Sequence, residues 1–302
     1  MAPISRRAFV SSLAALSALP NLALARSGQA TKVIPKSGEA LPVIGMGSWM
    51  TFNVGEDMSL RNKRTDVLRA FFAAGGGMID SSPMYGSSEE VIGYCLGKLP
   101  KTDGLFTATK VWTPMSWHGV GQMEESQDLW KVKRFDLMQV HNLLNLDGHM
   151  ETLVDWKAQG RIRYIGITTS HGRRHNDFER AMQDKPVDFA QFTYNILNRE
   201  AENRLLPAAA DLGIATIINR PFSRGALIDR FARYPLPEWA AEIDCKNWPQ
   251  FLLKFIVSHP AVTCAIPATS QVDHMNENMG AGRGRMPDAK MRKMMTDYVE
   301  AL

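Results

Sequence analysis

The chain has 302 residues, of which 45% are hydrophobic and 22% are charged. This composition is typical of a globular protein, and the length allows one large domain or two small ones. The formal net charge of +4 is too small for a nucleic-acid-binding surface, so we expect no nucleic-acid partner.

Residues 1–25 have the order of an export signal. Arg6 and Arg7 precede an apolar run at residues 13–25, which ends in small residues typical of a cleavage site. Paired arginines indicate the twin-arginine pathway. The run has about 13 residues, fewer than the about 20 that a membrane span needs, so we expect cleavage after Ala25 and no stable membrane anchor. The sequence thus predicts a periplasmic protein delivered by the twin-arginine export machinery; the alternative is a basic N terminus that arose by chance.

After residue 25, strand-like and helix-like segments alternate. Eight short segments predict strands, at residues 41–47, 77–80, 105–111, 135–141, 164–169, 187–194, 214–219 and 263–268, and several of them are continuous apolar runs. Helical patterns lie between them, for example at residues 65–75, 150–160 and 248–260, and a last one covers residues 288–302. Continuous apolar runs are typical of parallel strands that helices cover.

Eight such units predict an α/β fold, the (β/α)8 TIM barrel, with residues 26–302 as a single domain. A doubly wound sheet fits less well, because no G-x-G-x-x-G turn opens any unit.

Polar and aromatic side chains follow the first four predicted strands. Trp49 follows the first strand, Asp80 and Tyr85 follow the second, Lys110 lies near the end of the third, and His141 ends the fourth. In a TIM barrel these ends meet at one mouth, where active sites lie. Taken alone, Asp80 is also explained as a cap, Lys110 as a strand-edge lysine and His141 as a buried histidine. Their places on neighbouring strands favour one shared site.

The chemistry of this set points to a general acid. A phenol titrates near pH ~10, and a nearby ammonium group favours its ionised form. Lys110 would supply that charge to Tyr85, and Asp80 would hold the lysine by an ion pair. His141 would direct a substrate carbonyl oxygen towards the phenol. Because no side chain delivers a hydride, carbonyl reduction would require a nicotinamide cofactor.

From about residue 32 to 302 the chain resembles the aldo-keto reductase family. The resemblance is carried, in chain order, by GMGSW, MIDSSPMYGSSEEVIG, TATKVW, FDLMQVHN, IRYIGITTS, FAQFTYNI, NRPFSRGAL and IPATSQVDHMNENMGA. It places the family's catalytic tetrad on Asp80, Tyr85, Lys110 and His141. It implies reversible, NADPH- or NADH-dependent reduction of a small-molecule aldehyde or ketone to an alcohol, with no metal.

The resemblance also implies binding residues. Those expected to contact the cofactor are Ser48, Asp80, Thr168, Thr169, Gln191, Asn219, Arg220, Pro221, Phe222, Arg224, Thr269, His274, Glu277 and Asn278. Those expected to contact the substrate are Trp49, Trp112, Tyr85 and His141, with Trp117 and His118 as weaker candidates. Aromatic walls favour apolar or aromatic carbonyl substrates.

Three departures from the family's pattern affect the cofactor site. Thr168 and Thr169 replace a usual Ser-Asn pair, and Asn219 replaces an aromatic residue that stacks on the nicotinamide. Ala268 and His274 stand where basic residues commonly hold the 2′-phosphate. The family's pattern favours NADPH, but these replacements leave NADH open.

Two alternatives stand beside these expectations. Arg224, or Arg283 together with Arg285, is an alternative phosphate clamp, although the latter pair is also explained as solvated loop residues. A second functional reading is a nicotinamide-binding redox sensor or partner-binding module with slow or no turnover. A metal-dependent hydrolase is disfavoured, because no His-x-His or His-Glu-x-x-His cluster occurs.

Overall fold

A computed structural model describes residues 28–302, apart from 171 and 173. The predicted export signal, residues 1–25, lies outside the described residues. The strands are β1 Thr31–Val33, β2 Ala40–Pro42, β3 Met46–Gly47, β4 Met78–Asp80, β5 Phe106–Val111, β6 Phe135–Val140, β7 Ile162–Thr168, β8 Phe189–Thr193, β9 Ala215–Asn219 and β10 Cys264–Ala265. The helices are α1 Met58–Ala73, α2 Ser88–Lys98, α3 Ser116–Trp130, α4 Leu146–Ala158, α5 His175–Asp184, α6 Leu205–Asp211, α7 Ala226–Phe231, α8 Trp248–Val257, α9 Val272–Gly280 and α10 Ala289–Glu300.

The sheet consists of eight parallel strands in the order β3 to β10, each pairing with the next. Parallel bridges from Ile44 to Ala265 and from Gly47 to Ala268 join the first barrel strand to the last. A backbone hydrogen bond of 2.9 Å from Gly45 N to the Ala265 oxygen reinforces this closure. The predicted (β/α)8 TIM barrel is confirmed.

The prediction of one strand over residues 41–47 was wrong. Leu41 and Pro42 belong to β2, which pairs antiparallel with β1 in a hairpin that the sequence analysis missed. Leu41 and Ile34 of this hairpin pack into an apolar cluster with Met78, Phe106 and other side chains from inside the barrel. The hairpin therefore covers one end of the barrel, and its strands are too short and irregular to give a periodic signal.

The helices form an outer layer whose apolar sides pack against the sheet. Side-chain caps fix several starts: Asp57 accepts a hydrogen bond from Leu60 N at 2.9 Å before α1, and Asp288 accepts one from Met291 N at 2.8 Å before α10. The first of these explains why α1 begins at Met58, seven residues before the predicted helix start.

Among the helices that the structure describes, none is both long enough and apolar enough to cross a membrane.

Candidate active site

A cavity of about 540 Å³ opens at the C-terminal ends of the barrel strands. Most of the residues predicted for the site line it: Ser48, Trp49, Asp80, Tyr85, His141, Thr168, Gln191, Asn219, Arg220, Pro221, Phe222, Arg224, Thr269, His274, Glu277 and Asn278. The cavity falls within the usual size range of small-molecule and cofactor sites.

A buried ion pair lies beside this cavity. Lys110 Nζ donates to Asp80 Oδ2 at 2.6 Å and to the backbone oxygen of Ser81 at 2.7 Å. The side chains of Lys110 and Asp80 are 0% and 3% exposed. Burial by itself lowers the pKa of Lys110, but the charges of Asp80 and Tyr85 raise it above its usual value. The lysine therefore stays charged.

Two glutamines hold the other oxygen of Asp80. Gln139 and Gln191 each donate from Nε2 to Asp80 Oδ1 at 2.9 Å. Gln191 was predicted to contact the cofactor, and in the structure its amide orients the carboxylate. Gln139 was not predicted, because it lies inside an apolar strand run without a pattern that marks it. Through these contacts the carboxylate is fixed on both oxygens.

A short turn brings Tyr85 next to this pair. Residues Pro83–Tyr85 form one turn of 3-10 helix, and Ser82 Oγ accepts a hydrogen bond from Met84 N at its start. Gly86 follows with φ of 60°, where a Cβ atom would lie 2.4 Å from Asn53 Oδ1, so glycine is required. Lys110 Nζ lies 5.2 Å from the centre of the Tyr85 ring.

Burial dominates the acidity of Tyr85. Burial raises its pKa above the usual value, and the charge of Lys110 opposes this without cancelling it. The net direction is opposite to that expected from the sequence, because the phenol lies against the barrel mouth and loses solvation. Tyr85 therefore remains protonated at neutral pH, as a general acid must, and the charge of Lys110 would stabilise its phenolate form.

His141 is neutral in this environment. Burial and then the charge of Lys110 lower its pKa to about 3. Its Nδ1 lies 2.9 Å from Ser82 Oγ, whose oxygen already accepts from Met84 N, so we assign the hydroxyl proton to this bond and the ring proton to Nε2. The ring packs edge-on to Tyr85 with centroids 5.9 Å apart. The Nε2 proton is thereby available to a ligand oxygen beside the phenol.

Asn219 takes part in a polar network at the end of β9. Its Nδ2 donates to the Thr169 backbone oxygen at 2.9 Å, and its Oδ1 accepts from Thr193 Oγ1 at 2.7 Å. Thr169 itself is 6% exposed, and its N–H donates to the Gln191 oxygen. The cavity wall here is polar, where the family pattern places an aromatic ring.

The basic residues considered as phosphate clamps differ in position. Arg224 lines the cavity, whereas Arg285 forms an ion pair with Asp244 at 2.9 Å and Arg283 donates to the Ala74 oxygen. His274 also lines the cavity. Of the candidates, Arg224 and His274 are the ones placed to meet a phosphate.

Aromatic and methionine side chains surround the mouth. Arg224 Cζ lies 4.4 Å from the centre of the Trp49 ring, a cation–π contact. Trp112 is 40% exposed, with its ring 6.5 Å from that of His141. Met50 and Met84 are exposed neighbours that the sequence analysis missed. The exposed surface around Trp112, Met50 and Met84 is therefore largely apolar.

The weaker candidates Trp117 and His118 lie on the first turn of α3 and contact each other, with ring centroids 5.6 Å apart. Trp117 is 75% exposed. Neither residue lines the cavity. Among the described residues, no three His, Cys, Asp or Glu side chains group as metal ligands do.

Comparison with known proteins gives consistent matches. The sequence profile of the aldo/keto reductase family matches residues 43–296. Aldo-keto reductase YhdN of Bacillus subtilis is 28% identical over 201 residues, which cover 61% of this chain and 59% of that protein. Methylglyoxal reductase YeaE of Escherichia coli is 25% identical over 276 residues, covering 88% of this chain and 95% of that protein. An aldo/keto reductase from Klebsiella pneumoniae, crystallised with NADP and acetate, has a TM-score of 0.74 at 23% identity, over 90% of this chain and 95% of that chain.

Proposed function

The chain belongs to the aldo/keto reductase family, and from this premise we propose that it reduces an aldehyde or ketone to an alcohol with a nicotinamide cofactor. The observation that carries the proposal is the buried ion pair of Lys110 and Asp80 directly beside Tyr85, at the mouth of a cavity. A buried charged pair next to a partly buried phenol is costly to maintain and is suited to proton transfer.

The cavity residues fit a nicotinamide dinucleotide. Amide and hydroxyl groups of Gln191, Asn219 and Thr168 lie near the tetrad and suit a carboxamide. Arg224 suits a diphosphate, and Asn278 suits a ribose or a base. When bound, the nicotinamide supplies the hydride that the carbonyl carbon receives.

The side chains of this protein then handle the proton and the charge. The neutral His141 donates from Nε2 to the carbonyl oxygen and orients it towards Tyr85. The phenol of Tyr85 gives its proton to that oxygen as negative charge develops there. Lys110, held charged by Asp80, stabilises the phenolate left behind. In the reverse direction, the same phenolate accepts the proton of an alcohol.

We propose NADP as the cofactor to test first, with NAD as the alternative. The related Klebsiella protein was crystallised with NADP, and His274 lines the cavity as the candidate partner of a 2′-phosphate. An exposed histidine is a weaker phosphate ligand than an arginine fork, so we expect modest discrimination between the two cofactors.

The substitution Tyr85→Phe tests the proposal. It removes the proton donor but keeps the ring, so carbonyl reduction should fall by about a hundredfold or more while cofactor affinity stays nearly unchanged. Both quantities are measurable: NADPH consumption with methylglyoxal and benzaldehyde, and quenching of tryptophan fluorescence by NADPH. Equal losses of turnover and of cofactor affinity would contradict this division of roles. A wild-type protein that binds NADPH but reduces no carbonyl would favour the alternative function, a nicotinamide-binding redox sensor or partner-binding module.

We also propose that residues 1–25 direct export to the periplasm through the twin-arginine pathway. The support is the order of paired arginines, apolar run and small residues. Cell fractionation of the wild type and of a double Arg6→Lys and Arg7→Lys variant tests this. Retention of only the variant in the cytoplasm is expected, and an equal distribution of both would refute export by this route.

A further inference from the structure

Gln139 carries a buried amide group inside the barrel. It lies on β6 between its register partners, Lys110 of β5 and Gly166 of β7. Gln139 is 0% exposed and does not line the cavity. A Cβ atom on Gly166 would lie 2.8 Å from Gln139 Cγ, so the glycine leaves room for this side chain. A buried amide needs hydrogen-bond partners, and the barrel interior supplies them.

Both polar atoms of the Gln139 side chain have partners. Its Nε2 donates to Asp80 Oδ1 at 2.9 Å and, over a longer 3.4 Å, to the Thr109 backbone oxygen. Its Oε1 accepts from Gln191 Nε2 at 3.2 Å. The carboxylate of Asp80, which is ion-paired with Lys110, can only accept hydrogen bonds. Gln139 therefore turns its NH2 group to Asp80 and its oxygen to Gln191.

These contacts also fix the amide of Gln191. Its Nε2 donates to Asp80 Oδ1 at 2.9 Å and to Gln139 Oε1, so both of its N–H groups are used. Gln191 lines the cavity, and within the described part of the chain no group donates to its Oε1. Turning this amide over would bring its oxygen against two acceptors, which is unfavourable. Gln191 thus offers a ligand a carbonyl oxygen, which only accepts hydrogen bonds.

We propose that Gln139 is a positioning residue for the cofactor. By holding the amide of Gln191, it makes this part of the cavity select a ring substituent that carries an N–H donor, as the carboxamide of nicotinamide does. This inference rests on the proposed function. Gln139 itself touches neither cofactor nor substrate and acts through Gln191. A ligand with a methyl group in place of the donor would leave the Gln191 oxygen unsatisfied and should bind less tightly.

The test compares the binding of NADP with that of its 3-acetylpyridine analogue, in which a methyl group replaces the NH2 of the carboxamide. Isothermal titration calorimetry gives both dissociation constants without turnover, and NAD with its matching analogue is used if NAD binds more tightly. The wild type should bind the natural cofactor about tenfold more tightly than the analogue.

Gln139→Met keeps the length of the side chain and removes its polar atoms. In this variant the ratio of the two dissociation constants should fall to about threefold or less. The reason is that only Asp80 then holds the Gln191 amide, which can turn its NH2 group to the acetyl oxygen of the analogue.

Two further variants separate positioning from a loss of stability. Gly166→Ala displaces the Gln139 side chain, so it should lower the ratio in the same direction while both glutamines are kept. Met138→Ala is the control, because Met138 is the neighbour of Gln139 on β6 but packs in the apolar core. It should lower the free energy of unfolding in urea and leave the ratio within about twofold of the wild type.

The outcomes distinguish the inference from the proposed function. A wild type that binds cofactor and analogue equally, or a ratio that stays unchanged in Gln139→Met and Gly166→Ala, would overturn the inference and leave the proposed function standing. An equal fall of the ratio in Met138→Ala would also overturn it, because any loosening of the barrel would then suffice. If the wild type binds neither NADP nor NAD and reduces no carbonyl, the proposed function fails and the inference with it.

Discussion

Replacing Asp80 with asparagine tests how the buried pair controls the site. Asp80 accepts from Lys110 at 2.6 Å on one oxygen and from Gln139 and Gln191 at 2.9 Å on the other. An asparagine oxygen facing Lys110 would turn the asparagine NH2 group towards two NH2 donors. Lys110, which is 0% exposed, would lose its counter-charge. Removing one partner of a buried pair costs about 3–5 kcal/mol, a large part of the about 5–15 kcal/mol that stabilises a typical domain.

The expected results are a loss of stability and a loss of turnover. Urea unfolding of Asp80→Asn should give a free energy of unfolding lower by about 3 kcal/mol or more. Carbonyl reduction should fall by about a hundredfold, because a lysine without Asp80 loses its charge and no longer stabilises the phenolate of Tyr85. Circular dichroism checks that the variant is folded in the absence of urea.

A double variant, Asp80→Asn with Lys110→Met, separates the two effects. With the unpaired buried amine of Lys110 removed, stability should return most of the way to that of the wild type, but turnover should not recover. The reasoning would be refuted if Asp80→Asn were as stable as the wild type, or if the double variant were the less stable of the two.

Four further predictions follow from the site geometry. Because the pKa of His141 is lowered to about 3, the pH profile of kcat should show no histidine ionisation near pH 6.5. Activity should fall only at high pH, as Tyr85 loses its proton. A decrease in kcat near pH 6.5 that His141→Asn abolishes would contradict this. In the unfolded chain His141 binds a proton below about pH 6.5, whereas in the folded protein it does so only near pH 3. His141 therefore lowers the free energy of unfolding as the pH falls from about 6.5 to about 3. In urea unfolding over this pH range, His141→Asn should reduce the dependence of the free energy of unfolding on pH. Ser82→Ala should lower kcat/KM by about tenfold without changing NADPH affinity, since it removes the hydroxyl that orients the imidazole; an unchanged kcat/KM would refute that role. His274→Arg should raise the preference for NADPH over NADH by about tenfold in fluorescence titrations, and no change would place the 2′-phosphate elsewhere.

The barrel was predictable because its strands leave strong local signals. β5 and β6 are buried almost throughout and appear in the sequence as short strand-like segments of the right length. The hairpin of β1 and β2 was not predictable in this way, because three-residue strands carry no periodicity. Its role depends on side chains such as Leu41 packing inside a barrel that the rest of the chain builds.

Some residues of the site were predictable from the sequence and others were not, for similar reasons. Asp80, Lys110 and His141 were predicted because strand ends converge in this fold, and the structure brings them together. The contributions of Gln139 and Ser82 depend on distances between side chains from different strands, which no residue pattern encodes. The direction of the pKa shift of Tyr85 was wrongly predicted for a related reason. The extent to which Tyr85 is buried depends on the folded barrel mouth and not on its neighbours in the chain.

The most direct measurement follows a deuterium atom. The protein is incubated with NADPH that carries deuterium on the transferable C4 position and with a carbonyl substrate, and the alcohol is analysed by mass spectrometry. The wild type should place deuterium on the former carbonyl carbon. Tyr85→Phe should yield almost no labelled alcohol, although NADPH still quenches the tryptophan fluorescence of this variant. Label appearing equally fast with Tyr85→Phe, or unlabelled alcohol from the wild type, would contradict the account.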